Sequence, residues 1–474
     1  VLAVTVTAVT VLGGLALALA ALGRAGEPGA GGRLWLALAL GPGIGCGVVS
    51  VLYVLSVHLD LDPRLAWVAF AALVVAAGAT VVRSEGVRAL VGPRFEAGLL
   101  RRPGAWALGA STLVTVVVLV VIGWQWFTRV PYGSFDAVAM WNGKAVMLFR
   151  GETGELPGIF RAMKHGHPDY PLLLPGAVAA QYVLLGREDP TVPRATHGAL
   201  VAGLGLLVVV VASALGAARL AVPGALVLLV TPAFTRYAFT QCADVPLGSM
   251  LLAAAFALAG PLGCRAADGP LLRCSPALAG LLLSLLAWTK NEGVFLALIL
   301  VLVAVGFELG RGVSRADLGR WLVLGAGAAP GLITLVLFRS SWVGTSEVRG
   351  FLSDLPAKLG DPVRWWTILD SLWHRLDPRS GLEIWGLLPV VLIVGLGLAT
   401  IRRAKAPCAA LHSIGVSLAA SFVCYMGFYL ITPQPLGWHL ELSLDRLLLH
   451  LAPLAVVWVL AAVASARGPA EAPR

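Results

Sequence analysis

The chain has 474 residues, of which 58% are hydrophobic and 13% charged, with a formal net charge of +10. Soluble globular domains carry about 25% charged residues, so the composition excludes an ordinary water-soluble protein. Nucleic-acid binding is excluded too, because the Lys and Arg residues lie between apolar runs and are not gathered with aromatics on a polar face.

Apolar runs of about 17–22 residues follow one another, each long enough as a helix to cross about 30 Å of hydrocarbon. A helix is also the form that satisfies its own backbone in lipid. In chain order these runs predict about 13 spans, near 1–22, 34–57, 65–82, 105–127, 195–216, 221–239, 245–262, 276–289, 293–309, 321–338, 384–401, 410–431 and 447–465. The expected fold is all-α: a polytopic membrane protein with juxtamembrane helices on its outer face. The first run, "VLAVTVTAVTVLGGLALALAALGR", has neither a basic leader nor a cleavage site and reads as a span, not a removable signal. The six cysteines show no CxxC spacing and are expected to be structural.

Positive residues crowd alternate loops: Arg83, Arg88, Arg94, Arg101 and Arg102; Arg265 and Arg273; Arg311, Arg315 and Arg320; Arg402, Arg403 and Lys405. All fall on the cytoplasmic side if "YPLLLPGAVAAQYVLL", 170–185, does not cross. That segment is short, and Pro175 would break an early hydrogen bond of a helix starting at Pro171, so it is expected to be interfacial or re-entrant. Opposite loops carry His58, Asp60, Asp62 and Asp244. Two long outer loops result, about 128–194 and 339–383, and Trp342, Trp365, Trp366 and Trp373 in the second are expected to form an interfacial belt. The division is 1–104, N-terminal spans of unassigned role; 105–465, the region that carries the motifs; and 466–474, a cytoplasmic tail.

Charge reappears where the oily runs end. In "SFDAVAMWNGKA", 134–145, Val138, Trp141, Ala145, Leu148 and Phe149 share one stripe at helical spacing. Asp136, Gly143 and Arg150 lie opposite, with Lys144 at the edge. Asp136 then either complements a helix dipole or serves as a base. "HGHPDYP" (165–171) comes next in the same loop with His167, Asp169 and Tyr170, and Arg194 lies at its end. Further on, "QCADVPL" places Asp244 at the mouth of a span, "WTKNEG" sets Lys290 and Glu292 in a turn, and "GWHLELSLDRLLLHLAP" brings His439, Glu441, Asp445 and Arg446 to the last outer loop. Charges this close to a bilayer are costly and face a cavity or a partner; for Glu441 and Asp445 a structural salt bridge or snorkelling is expected. Neither Lys290 nor Arg446 has a carboxylate four residues away on its own helix. Glu292 and Asp445, two and one residues off, do not face them at helical geometry.

The ordered set "YGSFDAVAMWNGKA…HPDYPLLLP…ADVPLGSMLLAA…AWTKNEG…WHLELSLDRLLLHLAP" resembles the GT-C superfamily of integral-membrane glycosyltransferases. The similarity runs from about 105 to 465, toward the branch of protein O-mannosyltransferases and lipid A aminoarabinose transferases. The resemblance implies a polyprenyl-phosphate sugar as donor, a glycan, lipid or protein as acceptor, and the bilayer of a bacterial cytoplasmic membrane with the active site on its outer face. It implies Asp136 as catalytic base and Lys290 and Arg446 as partners of the donor phosphate. Lys144, His167, Asp169, Tyr170, Arg194, Asp244, Glu292 and His439 are the further candidates for lining the site. The chain departs from the family in having Ala137 where many members carry a second acid. No metal-ligand spacing is present, so no cofactor is expected unless a second carboxylate joins Asp136 to hold a divalent ion. A transporter or flippase of lipid-linked sugars or other polar solutes is the alternative; it calls for an internal repeat or for broken helices at mid-membrane.

Overall fold

The computed structural model describes residues 2–22, 30–85, 123, 128, 130–163, 165–260, 274–344, 354–377, 381–401 and 409–465. The expected span at 105–127, apart from Gly123, lies outside them, as do the tail, Cys264, Cys408 and most of the positive loops (Arg88, Arg94, Arg101, Arg102, Arg265, Arg273, Arg402, Arg403 and Lys405). All regular structure among the described residues is helical. Eight segments there are long and apolar enough to cross a membrane, or nine if one pair bent by 107° counts as a single span.

The N-terminal helices α1 (Leu2–Leu22), α2 (Ala30–His58) and α3 (Leu65–Glu85) pack together, with α2 the most deeply buried. Close approach rests on small residues: a Cβ added at Gly45 of α2 would stand 2.1 Å from the Thr10 carbonyl oxygen of α1. Gly41 and Gly45, four apart, supply the small-residue face that lets membrane helices touch backbone to backbone. The helix α2 then continues into the rest of the molecule. Tyr53 donates to the Leu148 carbonyl at 2.7 Å, Ser50 to that of Leu172 at 2.8 Å, and Trp288 Nε1 to Ser50 Oγ at 3.1 Å.

Loop 128–194 holds a π-helical turn (Ala137–Asn142) running into α4 (Gly143–Arg150), then α5 (Leu156–Ala162) and α6 (Leu173–Leu185). With 13 residues, α6 is about 20 Å long at 1.5 Å per residue, too short for a span. It lies among helix ends, where Thr7 donates to Gln181 at 2.7 Å and Trp67 to the Ala180 carbonyl at 2.7 Å. Its leucine-rich sequence satisfies this position because Leu173 to Tyr182 are all buried against neighbours.

The next pair of expected spans is one apolar stretch, Thr191–Val230, that folds back on itself. After α7 (Thr191–Ala212) a π turn contains Gly216 at φ 90°, a left-handed conformation suited to glycine, and α8 (Ala218–Val230) returns along α7. The short α9 (Pro232–Phe239) ends beside the start of α7, where His197 is hydrogen-bonded to the Tyr237 backbone. The chain then turns by 107° into α10 (Asp244–Leu258), whose residues are all buried.

The remaining helices are α11 (Pro276–Thr289), α12 (Asn291–Leu309), α13 (Arg315–Ser341), α14 (Leu355–Gly360), α15 (Pro362–Leu376), α16 (Leu382–Trp385), α17 (Leu388–Ile401), α18 (Ala409–Ile431) and α19 (Leu436–Ser465). Two expected spans are short: α11 and α17 have 14 residues each, about 21 Å. A Cβ at Gly280 of α11 would stand 1.9 Å from the Leu324 carbonyl oxygen of α13, so these helices also cross in direct backbone contact.

Trp342 does not join an interfacial belt. It is fully buried, with ring centroids 5.2 Å from Phe160 and 5.9 Å from Phe338. Its position one residue past α13 turns it inward onto α5. Trp365, Trp366 and Trp373 on α15 are exposed. Of the cysteines, Cys46, Cys242 and Cys274 are free and buried, and Cys424 is free and half-buried.

Glycine crossings make a direct test. Gly45→Ala and Gly280→Ala each force two backbones apart and are expected to lower the thermal midpoint in detergent, with a cost of about 1–3 kcal/mol. Gly78→Ala, with nothing within 4 Å of the new Cβ, is expected to leave it unchanged. Equal midpoints in all three variants would contradict the packing.

Candidate functional site

Local geometry at the first motif differs from the expected helical wheel. The Gly143 amide donates to the Val138 carbonyl, the five-residue repeat of a π turn. The wider turn rotates the downstream residues relative to a 3.6-residue helix, so Val138 is turned out (49% exposed) and Lys144, expected at the edge, is fully buried. Trp141, Ala145 and Leu148 remain on the inner face. Asn142 pins the turn, donating to Gln241 Oε1 at 2.8 Å and to the Tyr132 carbonyl at 3.1 Å. Asp136 is left half-exposed at the N-terminal end of the turn.

The motifs then converge on one buried carboxylate. Asp244, at the first position of α10 after the 107° bend, has no exposed surface. Its Oδ1 accepts from Lys290 Nζ at 3.1 Å and from His450 Nε2 at 2.9 Å. Its Oδ2 accepts from Arg446 Nε at 3.1 Å, with Nη2 of the same guanidinium 3.0 Å away. The other edge of Arg446 reaches Asp136, Nη1 donating to Oδ2 at 2.6 Å. Tyr425 donates its hydroxyl to His450 Nδ1 at 3.0 Å, the arrangement that leaves the His450 Nε2 proton for Asp244.

Lys290 also meets Glu292 at 2.8 Å, against the expectation that these two would not face each other. The helical spacing rule does not apply there, because Lys290 sits at φ −161°, ψ 162° in the break between α11 and α12. Both expected phosphate-binding cations therefore hold carboxylate partners: Lys290 has Asp244 and Glu292, and Arg446 has Asp244 and Asp136.

A second group adjoins the first across Tyr170. Lys144 Nζ donates to the His167 carbonyl at 2.5 Å and lies 5.8 Å from the Tyr170 ring centroid; Lys290 lies 5.8 Å from the same ring. His167 stacks on Tyr170 with centroids 4.5 Å apart. Buried Asp169 accepts from Asn291 Nδ2 at 3.0 Å, and Asn291 Oδ1 accepts from Arg339 Nη2 at 2.6 Å. Four carboxylates (Asp136, Asp169, Asp244, Glu292) thus face four cations (Lys144, Lys290, Arg339, Arg446). Burial lowers Lys144 from its ordinary 10.5 to about 7, an effect opposed by the nearby Asp169 charge.

Other candidates have partners of their own. Arg194 folds back on the first turn of α7, donating to the Pro190 carbonyl at 2.9 Å. His439 contacts Thr432 Oγ1 at 2.9 Å. Asp445 pairs with Arg375 at 3.2 Å and accepts from Trp385 Nε1 at 3.2 Å, a structural ion pair as expected; Glu441 is exposed. Sequence reading missed His450, Tyr425, Asn291 and Arg339. His450 carried a usable signal, four residues after Arg446 and so on the same helical face. Asn291 stood inside "WTKNEG", between Lys290 and Glu292, whereas Arg339 and Tyr425 carried no signal, since only folding brings them near the motifs.

Chemically, the group offers one half-exposed carboxylate held against a guanidinium, backed by a deeply buried relay of opposite charges. Among the described residues no cluster of three or more His, Cys, Asp or Glu side chains could hold a metal ion.

Removing the central charge should be costly. Asp244→Asn leaves Arg446, Lys290 and His450 around a neutral amide, and breaking a buried pair costs about 3–5 kcal/mol. The expected result is a clear drop in thermal midpoint; a midpoint within error of wild type would remove Asp244 from its central place. Lys144 gives a pH test. Its folded value near 7 lies below the ordinary 10.5, so between these pH values the unfolded chain binds a proton that the folded chain lacks. Its contribution to stability should therefore rise with pH across that window and be flat below it. In unfolding measured from pH 6 to pH 10, Lys144→Met is expected to lose that rise; the same slope in both proteins would refute the assignment.

No family model matches the chain, and no curated protein or solved structure matches it either.

Proposed function

We propose that the protein is an integral-membrane glycosyltransferase of GT-C type, with about 13 spans, that moves a sugar from a polyprenyl-phosphate donor to an acceptor hydroxyl. The observation that carries this reading is the 2.6 Å contact between half-exposed Asp136 and Arg446, whose opposite edge is anchored on buried Asp244. An acid and a cation that can part from each other suit a reaction that needs both: a base for the acceptor and a positive charge for the leaving phosphate.

In the proposed reaction the donor phosphate takes the outer edge of Arg446, where Asp136 is the more exposed of its two partners. The displaced Asp136 carboxylate then takes the proton of the acceptor hydroxyl as its oxygen attacks C1 of the sugar. The new C1–O bond forms as the bond from C1 to the phosphate oxygen breaks, and the electron pair leaves with the lipid phosphate. Arg446 meets the charge that develops there, and Lys290 sustains the positive potential beneath it. In-line displacement inverts the configuration at C1.

One observation favours the second reading, a transporter or flippase of lipid-linked sugars: the 107° bend between α9 and α10 places a charged residue at a broken helix. In sealed vesicles a transporter carries labelled lipid-linked sugar across without consuming it, whereas a transferase moves the label to glycan, lipid or protein.

Asp136→Asn, nearly isosteric, is expected to cut transfer by about 10²–10⁴-fold while keeping or raising affinity for a polyprenyl phosphate, because a competitor for Arg446 has lost its charge. Arg446→Lys should retain part of that affinity, since an ammonium lacks the guanidinium fork. Near-normal transfer by folded Asp136→Asn would overturn the role of the base.

A further inference from the structure

We propose that α15 is an in-plane membrane helix, its outward stripe of tryptophan and leucine inserted at the headgroup–acyl boundary of the leaflet beside the site. This inference rests on the membrane-spanning fold and not on the transferase reading.

The helix has its polarity inside out. At 3.6 residues per turn Trp366, Leu369, Trp373 and Leu376 align along one stripe, with Arg364, Ile368, Ser371 and Arg375 opposite. A helix on a soluble protein would bury the first set. Here Trp366, Leu369 and Trp373 are 69%, 55% and 68% exposed, while Ile368 is buried and both arginines face the protein.

Those arginines fix its level. Arg364 donates to the carbonyls of Leu430 at 3.0 Å and Tyr429 at 2.9 Å, and Lys358 of α14 donates to that of Ile431 at 3.0 Å. These are the last carbonyls of α18, which have no acceptor role within the helix. Arg375 pairs with Asp445 in the third turn of α19. The helix therefore lies across the end of the α18–α19 hairpin, alongside the first turns of α19, where a bilayer surface meets the spans.

Its two edges differ as an in-plane helix requires. Asp370 and His374, 3.6 Å apart and both exposed, mark the edge toward water. Trp365, Leu369 and Leu376 mark the other, and on α19 Trp438 and Leu442, seven and three residues before the Asp445 that meets Arg375 and so on its helical face, are exposed too. Tryptophan, apolar in body with one N–H donor, is the side chain most at home at that boundary. Continuity with the lipid-facing surface of the spans commits the occupant to lipid over a polar glycan or a second protein.

The test uses the full chain in phosphatidylcholine liposomes with bromine placed on the acyl chains, either near the headgroup or near the chain end. The emission of α15 is the difference between wild type and the conservative double variant Trp366→Phe, Trp373→Phe. The expected result is that this difference emission is quenched more by bromine near the headgroup than near the chain end, and is shielded from aqueous acrylamide. Free quenching by acrylamide with no effect of bromine would overturn the proposal and leave the stripe facing water. Protection from both quenchers that varies with protein density would overturn it in favour of a protein partner.

Discussion

Burying the Asp244 carboxylate is the constraint on which the rest of the site depends. Moving such an ion from water into a medium of low dielectric costs of order 20 kcal/mol in the idealised limit, and several kcal/mol after relaxation. The chain offsets that cost with three donors from two separate elements: Lys290 from the α11–α12 break, and Arg446 and His450 from α19, acting on a residue that α10 supplies. Lys290 and Arg446 would in turn be costly to bury without a carboxylate. Their mutual satisfaction sets how α10, α11, α12 and α19 can be placed, because a shift of one helix by a turn would leave several buried charges unpaired.

Around that centre, exposure is graded. Asp244 and His450 are fully buried, Lys290 nearly so, Arg446 and Glu292 are slightly open, and Asp136 is the most exposed of the carboxylates that meet Arg446 and Lys290. The outermost carboxylate is thus the one a polar ligand meets first and the one whose contact with Arg446 is most open to exchange with another anion. The four acidic and four basic side chains also explain how so oily a protein keeps charge at this end without a large local excess of either sign. Phosphate binding at such a site is an exchange of anions more than an occupation of a free cation.

The N-terminal helices acquire a purpose in this arrangement. Through Ser50 and Tyr53, α2 holds the Leu172 carbonyl before α6 and the Leu148 carbonyl in α4, while Ser50 also accepts from Trp288 of α11. The helices α4 and α6 flank the loop with His167, Asp169 and Tyr170, so a helix with no site motif of its own supports the floor beneath them. At the opposite edge α14 and α15 cap the end of α18 and reach Asp445, the neighbour of Arg446. The N-terminal scaffold and α15 thus both flank the charged network, though neither contributes a charge to it.

Local composition alone was enough for the all-helical membrane class, because run length and scarcity of charge are read without any fold. Sequence reading also singled out Asp136, Asp169, Asp244, Lys290, Glu292 and Arg446, since charge beside apolar runs is conspicuous. It misjudged Lys144 and Val138 because a π turn is invisible to a 3.6-residue wheel, and Lys290 with Glu292 because the break between α11 and α12 is extended. It placed Trp342 at the surface because aromatic composition does not say which way a residue beyond a helix end will turn. Which charges pair is legible only in the folded molecule. Ion pairs between residues as far apart in sequence as Asp136 and Arg446 exist only once the helices have packed, which no local pattern of residues states.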